Sequence, residues 1–497
     1  MKFLDRKYEG RQLIPLNIVS YEPFELGNRD AISITFKDVS TGKKYVEFIE
    51  KPKYEVYVLK PEYRASATFM ANWAKMEKLD KHTISYRYRD LELSKILGCD
   101  PSEVRYSPLI FGYDVKIENF YMTQFLLEYG AAGTDVTVGF LDIENDVIQV
   151  EGFAQPGEAP MNAVTYIDGE RKIAYTLVLL KDNLPHLPES NPKYKEIEEM
   201  RANFYRQTEA FVNDIDGVVK ECHELFDESY PGFEYNIICF DEEIEMHRIL
   251  WQIINRASND FVFIWNAPYD MRNLIERPLA LGYAPENLIC DPQFEYKVCF
   301  FEEDDNYMVH KRSHKCIVSI LPTIMDQMVL YAGIRSGRGR LPSVKLGKIA
   351  QIELHDDKLN YEEEGNIKVF PYKNFRKFVI YNLKDVLLQW GIHTTTGDIY
   401  NIVNRMQLHS MLISEVFTST AMLTNSVGKY LLQHGFVAGT NANRILPPFD
   451  YKKFIANSEE LSDAEYDALI NPDDLEEVVI EDENADEDFY GMEGDSE

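Results

Sequence analysis

Through the first 130 residues, apolar and polar positions alternate in short runs. Ala31-Ile-Ser-Ile-Thr-Phe36 and Tyr54-Glu-Val-Tyr-Val-Leu59 keep the period of two that puts alternate side chains on one face, which predicts strands. A stretch from Ala65 to Glu77 reads as helical and interrupts them. Residues 1–134 are therefore expected to form a mixed α/β domain, with a topology the pattern leaves open.

A second pattern begins at Val136-Thr-Val-Gly-Phe-Leu-Asp-Ile-Glu144. Strand candidates Ala163–Ile167 and Ile173–Leu180 follow after short turns and suggest an antiparallel meander. Tyr194 to Asp227 reads as a charged helical insertion. Strand and helix then alternate: Tyr235–Phe240 as a strand, Asp241 as an N-cap, and Glu245 to Ala257 as an amphipathic helix with Ile249, Leu250, Ile253 and Ile254 inward. Phe261-Val-Phe-Ile264 is a short buried strand, and a helix is expected from Asp270. A meander followed by strand–helix units is the layout of a ribonuclease H-like sheet, here over residues 135–399. Phe294 to Phe301 and Tyr307 to Ser319 flank Glu302-Glu-Asp-Asp-Asn306 and read as a hairpin with an acidic tip. Phe375 to Trp390 is a predicted helix, and a further helical segment occupies 400–457.

Charge changes the picture at the C-terminus. The chain carries 83 acids against 52 bases, a net charge of −31. Ser458 to Glu497 holds 18 of the acids and no Lys or Arg, so 458–497 is expected to be a disordered acidic tail and the remainder stands near −13. A site that grips a few nucleotides needs a local track and metal ions rather than a basic protein. No run approaches the roughly 20 apolar residues of a membrane span, and the first residues lack a signal-peptide pattern. The six cysteines include no C-x-x-C pair, which argues against a zinc site or disulfide framework and for a reducing, cytoplasmic setting.

Four acids stand out by context. Asp142 and Glu144 lie two apart on a predicted central strand and so share a face. Asp270 closes Trp265-Asn-Ala-Pro-Tyr-Asp270 at a strand–helix junction, and Asp385 follows Tyr381 at i, i+4 on a late helix. Singly, each has an ordinary explanation: solvated strand-edge acids, a helix cap, a surface acid beside a half-buried tyrosine. Their order is less ordinary. D-x-E, N-x-x-[FY]-D and Y-x-x-x-D resemble the three motifs of the DEDD exonucleases, in the tyrosine branch, since the histidine branch would place His where Ile380 stands.

Further segments narrow the resemblance. Leu321-Pro-Thr-Ile-Met-Asp326 and Leu341-Pro-Ser-Val-Lys-Leu-Gly-Lys-Ile-Ala350, standing before the Tyr381 helix, are similar to family B DNA polymerases of the T-even phage type over roughly residues 135 to 450. The resemblance implies two-metal 3′→5′ proofreading of DNA with two Mg²⁺ or Mn²⁺ ions. Asp142 would bridge the ions, Glu144 and Asp385 would complete the ion on the nucleophile side, and Asp270 would serve the other, partly through water. Tyr381 would orient the attacking water. Asn266, Phe153, Ser343 and Lys345 are the implied DNA contacts, and the hairpin would help part primer from template.

The polymerase signatures D-x-x-S-L-Y-P, K-x-x-x-N-x-x-Y-G and Y-x-D-T-D-S are absent, and the 194–227 insertion is not part of the family pattern. The expected partners are therefore single-stranded DNA 3′ ends and primer–template, a second chain carrying palm, fingers and thumb, and a sliding clamp, in a viral or host replication compartment. The alternatives are a structural subunit with a little-used site, a stand-alone DEDD exonuclease, and, on charge alone, an acidic DNA mimic.

Overall fold

A computed structural model describes residues 8–21, 30–64, 73–152, 154–338 and 341–439. The acidic tail and Phe153 lie outside them.

Three antiparallel strands open the chain: β1 (Leu13–Tyr21), β2 (Ala31–Asp38) and β3 (Lys44–Glu50), in the order β1-β2-β3. A second small sheet pairs β4 (Lys53–Leu59) with β6 (Leu79–Ser85) and β7 (Ile110–Phe111). The expected helix from Ala65 to Glu77 falls partly outside the described residues. Within them Trp73–Lys75 is a strand, β5, and Met76–Lys78 a 3₁₀ turn. The reason is non-local: β5 pairs antiparallel with β16 (Phe436–Ala438), at the far end of the described chain. Nothing near Trp73 in sequence could signal that partner.

The central sheet has six strands: β8 (Val138–Asn145), β9 (Met161–Asp168), β10 (Ile173–Leu179), β11 (Glu234–Phe240), β12 (Phe261–Ile264) and β15 (Thr323–Asp326). Their order is β11-β10-β9-β8-β12-β15, and β9 alone runs antiparallel to its neighbours. The fold is thus mixed α/β. Period two decides what each face of β8 meets. Val138 and Phe140 join the core under the long helix Phe375–Thr396, whereas Leu141 and Ile143 join the opposite core, with helices Glu243–Ala257 and Ala267–Ala280. Asp142 and Glu144 continue the row begun by Val138 and Phe140, so they emerge on the long-helix side.

The insertion is two helices, Tyr194–Asn213 and Ile215–Phe226, which bury Phe204, Phe211 and Phe226. Helix Glu243–Ala257 starts after Glu242 rather than Asp241, and it buries Met246, His247, Leu250, Trp251 and Ile254; Ile249 and Ile253 are only partly covered. The hairpin is present but shorter than its apolar runs: β13 (Cys299–Glu302) pairs with β14 (Lys315–Val318). Within it Cys299 brings its sulfur to 3.5 Å from that of Cys290. Among the described residues no helix is long and apolar enough to cross a membrane.

Candidate metal centre

The carboxyl ends of β8 and β12 lie side by side, the place where open α/β sheets gather functional groups. Asp142 and Glu144 end β8. The chain leaves β12 through Trp265 and Asn266, which adopts a left-handed conformation (φ 67°), and enters helix Ala267–Ala280. That helix begins three residues before Asp270, the start expected from sequence. Pro268 fits its first turn, where no N–H partner is needed, and Asp326 accepts the otherwise free N–H of Ala267 at 3.0 Å. Asp270 is consequently buried against β8, where it accepts the Ile143 N–H at 3.1 Å.

The long helix supplies the other half. Tyr381 and Asp385 share a face one turn apart, and both are buried. Ligand oxygens of Asp142, Glu144 and Asp385 lie within 4.8 Å of one another, and among the described residues they form the one group of three or more acidic, His or Cys side chains able to hold a metal ion. Asp270 stands just outside that trio, close enough to repel Asp142.

The electrostatics follow from crowding. Burial, then repulsion from Asp270, Asp385 and Glu144, holds Asp142 well above the usual carboxylate range. Burial and Asp385 push Glu144 up to about 8. Burial likewise raises Asp270 and Asp385. Tyr381 is raised by burial and by Asp385, so its hydroxyl keeps its proton.

Two further side chains, which the sequence pattern does not single out, contact the cluster. Lys358, from an irregular loop, donates to Asp385 at 2.6 Å and to the Tyr381 hydroxyl at 3.3 Å. Burial works against its charge, but Asp385, Tyr381 and Asp142 outweigh that effect and raise its pKa. Asn382, fully buried, donates to Asp142 Oδ2 at 3.1 Å while its own Oδ1 accepts from Thr165 at 2.7 Å. The available signal for Asn382 was its place inside Tyr381-Asn-Leu-Lys-Asp385. Lys358 had none, since loops carry no periodicity.

Of the predicted DNA contacts, Asn266 is exposed beside the cluster's helix. The Ser343–Lys345 loop is held next to it by Trp265, whose indole N–H donates to the Val344 carbonyl at 3.1 Å. Lys345 is exposed and Ser343 half-buried. Tyr269, also exposed, accepts from Asn145 at 3.0 Å and was not among the expected contacts.

Comparison with protein-family models gives no match to this chain. Comparison with curated proteins gives none either.

Proposed function

We propose that this chain is a metal-dependent 3′→5′ exonuclease acting on DNA, of the ribonuclease H-like DEDD class. The observation that carries the reading is the convergence of Asp142, Glu144 and Asp385 within 4.8 Å, with Asp270 and a protonated Tyr381 beside them. The strand order gives further support: a meander of β8 to β10, continued past β8 by parallel β12 and β15, suits a ribonuclease H-like sheet.

The donor set fits hard divalent cations. It is all oxygen, and each carboxylate is destabilised as an anion by the others, a cost that bound cations remove. Two Mg²⁺ or Mn²⁺ ions would activate water and stabilise the leaving 3′ oxygen. Asp142, between the other acids, would be shared by both; Glu144 and Asp385 would hold one ion and Asp270 would serve the second. The chain's own groups do the positioning. Asn382 fixes the Asp142 carboxylate. Tyr381, kept protonated, orients water by hydrogen bonding rather than by taking its proton. Lys358 holds Tyr381 and Asp385 in register and adds positive charge where a phosphodiester would sit. Asn266, Tyr269 and the Ser343–Lys345 loop line the approach for a single-stranded 3′ end.

The test is hydrolysis of a 5′-labelled single-stranded oligonucleotide in Mg²⁺. We expect stepwise loss of 3′ nucleotides, abolished by Asp142→Ala with Glu144→Ala. Undiminished cleavage by that double variant would sink the assignment.

The motif order further supports a place in a split family B polymerase, with palm, fingers and thumb on a second chain. One structural observation favours this subunit role. Helix Ser419–Gln433 buries none of its residues, and Leu423, Val427 and Tyr430 form an exposed apolar stripe at i, i+4, i+7. A partner polymerase chain covering that stripe would leave the nuclease chemistry to this chain.

A further inference from the structure

At the opposite end of the central sheet, the N-terminal sheet meets the segments that lead into β8 and β12. A cavity of about 400 Å³ lies in that seam. Its charge runs against the chain's own. In a protein of net charge −31, it is lined by Lys37, Lys43, Lys44, Arg171 and Arg256 against three acids.

Two of those acids are already engaged. Asp260 accepts from Lys37 at 3.1 Å and from the Thr137 N–H at 2.8 Å, and lies 3.3 Å from the Lys44 ammonium. Asp168 takes Arg171, through its backbone N–H at 3.2 Å and its guanidinium at 3.3 Å. Lys37 and Lys44 are each more than nine-tenths buried and share one carboxylate. Lys37, Lys44 and Arg171 thus share two buried carboxylates, Asp260 and Asp168, an excess of positive charge that a further anion would offset. Burial pulls Lys44 down to about 8 even with Asp260 beside it. Above this floor, Arg256 has no ion pair among the described residues, and Lys43 lies only over the Tyr45 ring.

We propose that this seam is a binding site for a compact, multiply charged oxyanion of the phosphate or pyrophosphate kind. The lining carries no aromatic ring on which a base could stack, so recognition is of the phosphate group itself. The volume is at the small end of small-molecule sites. Because Lys37, Lys43 and Lys44 come from the N-terminal sheet while Arg171 and Arg256 come from the central domain, an anion here ties the two together. The site uses none of the residues assigned to hydrolysis.

The experiment is calorimetric titration of the full chain with pyrophosphate, and separately with inorganic phosphate, in chelator and at fixed ionic strength. The Asp142→Ala, Glu144→Ala protein serves as a parallel sample, to exclude binding through metal ions. We expect saturable binding, undiminished in that sample and weakened at least tenfold by Arg171→Ala with Arg256→Ala. Those two side chains are on the rim, so the variant should fold; Lys44→Met, from the floor, should abolish binding, with folding checked by circular dichroism. Equal affinity in the rim variant would overturn the proposal. So would an equal response to chloride, or binding lost only in the carboxylate variant.

Discussion

At the scale of single residues, the proposed function divides the cluster into groups that would bind metal and groups that position them. Tyr381→Phe should keep the fold and lower the exonuclease rate, because the ring packing against Tyr361 and Phe370 survives while the hydroxyl is lost. Lys358→Met should also lower the rate, since it removes the hydrogen bonds that hold Asp385 and the Tyr381 hydroxyl. A rate independent of either change in single-turnover assays would contradict these roles. Asn382→Ala should cost about 1 kcal/mol of stability, because it removes one of the hydrogen bonds of the buried Thr165 hydroxyl, which keeps Thr176, and frees the Asp142 carboxylate. Denaturant unfolding would measure it.

The acids were legible in sequence because a motif keeps them at fixed short spacings within each element. Lys358 was not, since its link to Asp385 and Tyr381 depends on how a loop folds back. Nor were the contacts of Lys37 and Lys44 with Asp260, which join residues far apart in the chain. Local pattern carries local geometry; it carries no information about which distant surfaces meet.

At the scale of elements, the same division holds. Strands β8 to β12 were readable from short apolar runs set between polar turns, whereas β5 depended on β16 and was misread as helix. The hairpin invites a direct test. Its Glu303 pairs with Arg272 of the Asp270 helix at 3.2 Å, so the tip is held against that helix. Shortening Glu302 to Asn306 should reduce hydrolysis of duplex ends more than of single strands, because parting strands matters only when there are two. Equal losses on both substrates would indicate a general folding defect.

The long helix makes a different prediction. His393 packs its ring against Phe140 and Phe263, with no hydrogen-bond partner for Nδ1. Burial lowers its pKa to about 4. The unfolded chain therefore takes up a proton below about 6.5 that the folded chain refuses until about 4. The stabilising contribution is complete above about 6.5 and is lost as pH falls across that window. His393→Phe should flatten this part of the stability–pH profile. Parallel profiles for the two proteins, from melting temperatures between pH 7 and 4, would refute it.

At the scale of the whole molecule, the described chain places a mixed α/β body around one carboxylate cluster, with an exposed apolar stripe on Ser419–Gln433. This chain alone should not extend a primer, since nucleotidyl transfer needs a second fixed pair of acids and the described residues offer one metal-binding group. With a polymerase partner it should form one complex that extends and proofreads, through an interface above ~2,000 Å². Leu423→Glu with Val427→Glu should break that complex and leave single-strand hydrolysis intact. Extension by the purified chain alone would remove the split reading.

The crowding of Asp142, Glu144, Asp270 and Asp385 has a consequence outside catalysis. A folded state that must hold these acids together, and an unfolded state that need not, differ in their appetite for divalent cations. Metal availability should therefore act as a thermostat on the protein: each tenfold rise in free Mg²⁺ above the dissociation constant adds about 1.4 kcal/mol per bound ion to the folded side. Melting temperature tracked against free Mg²⁺ should climb steadily in the intact chain and stay level once Asp142 and Glu144 are both alanine. Depletion of magnesium would then lower the abundance of the protein, by handing more of it to proteolysis.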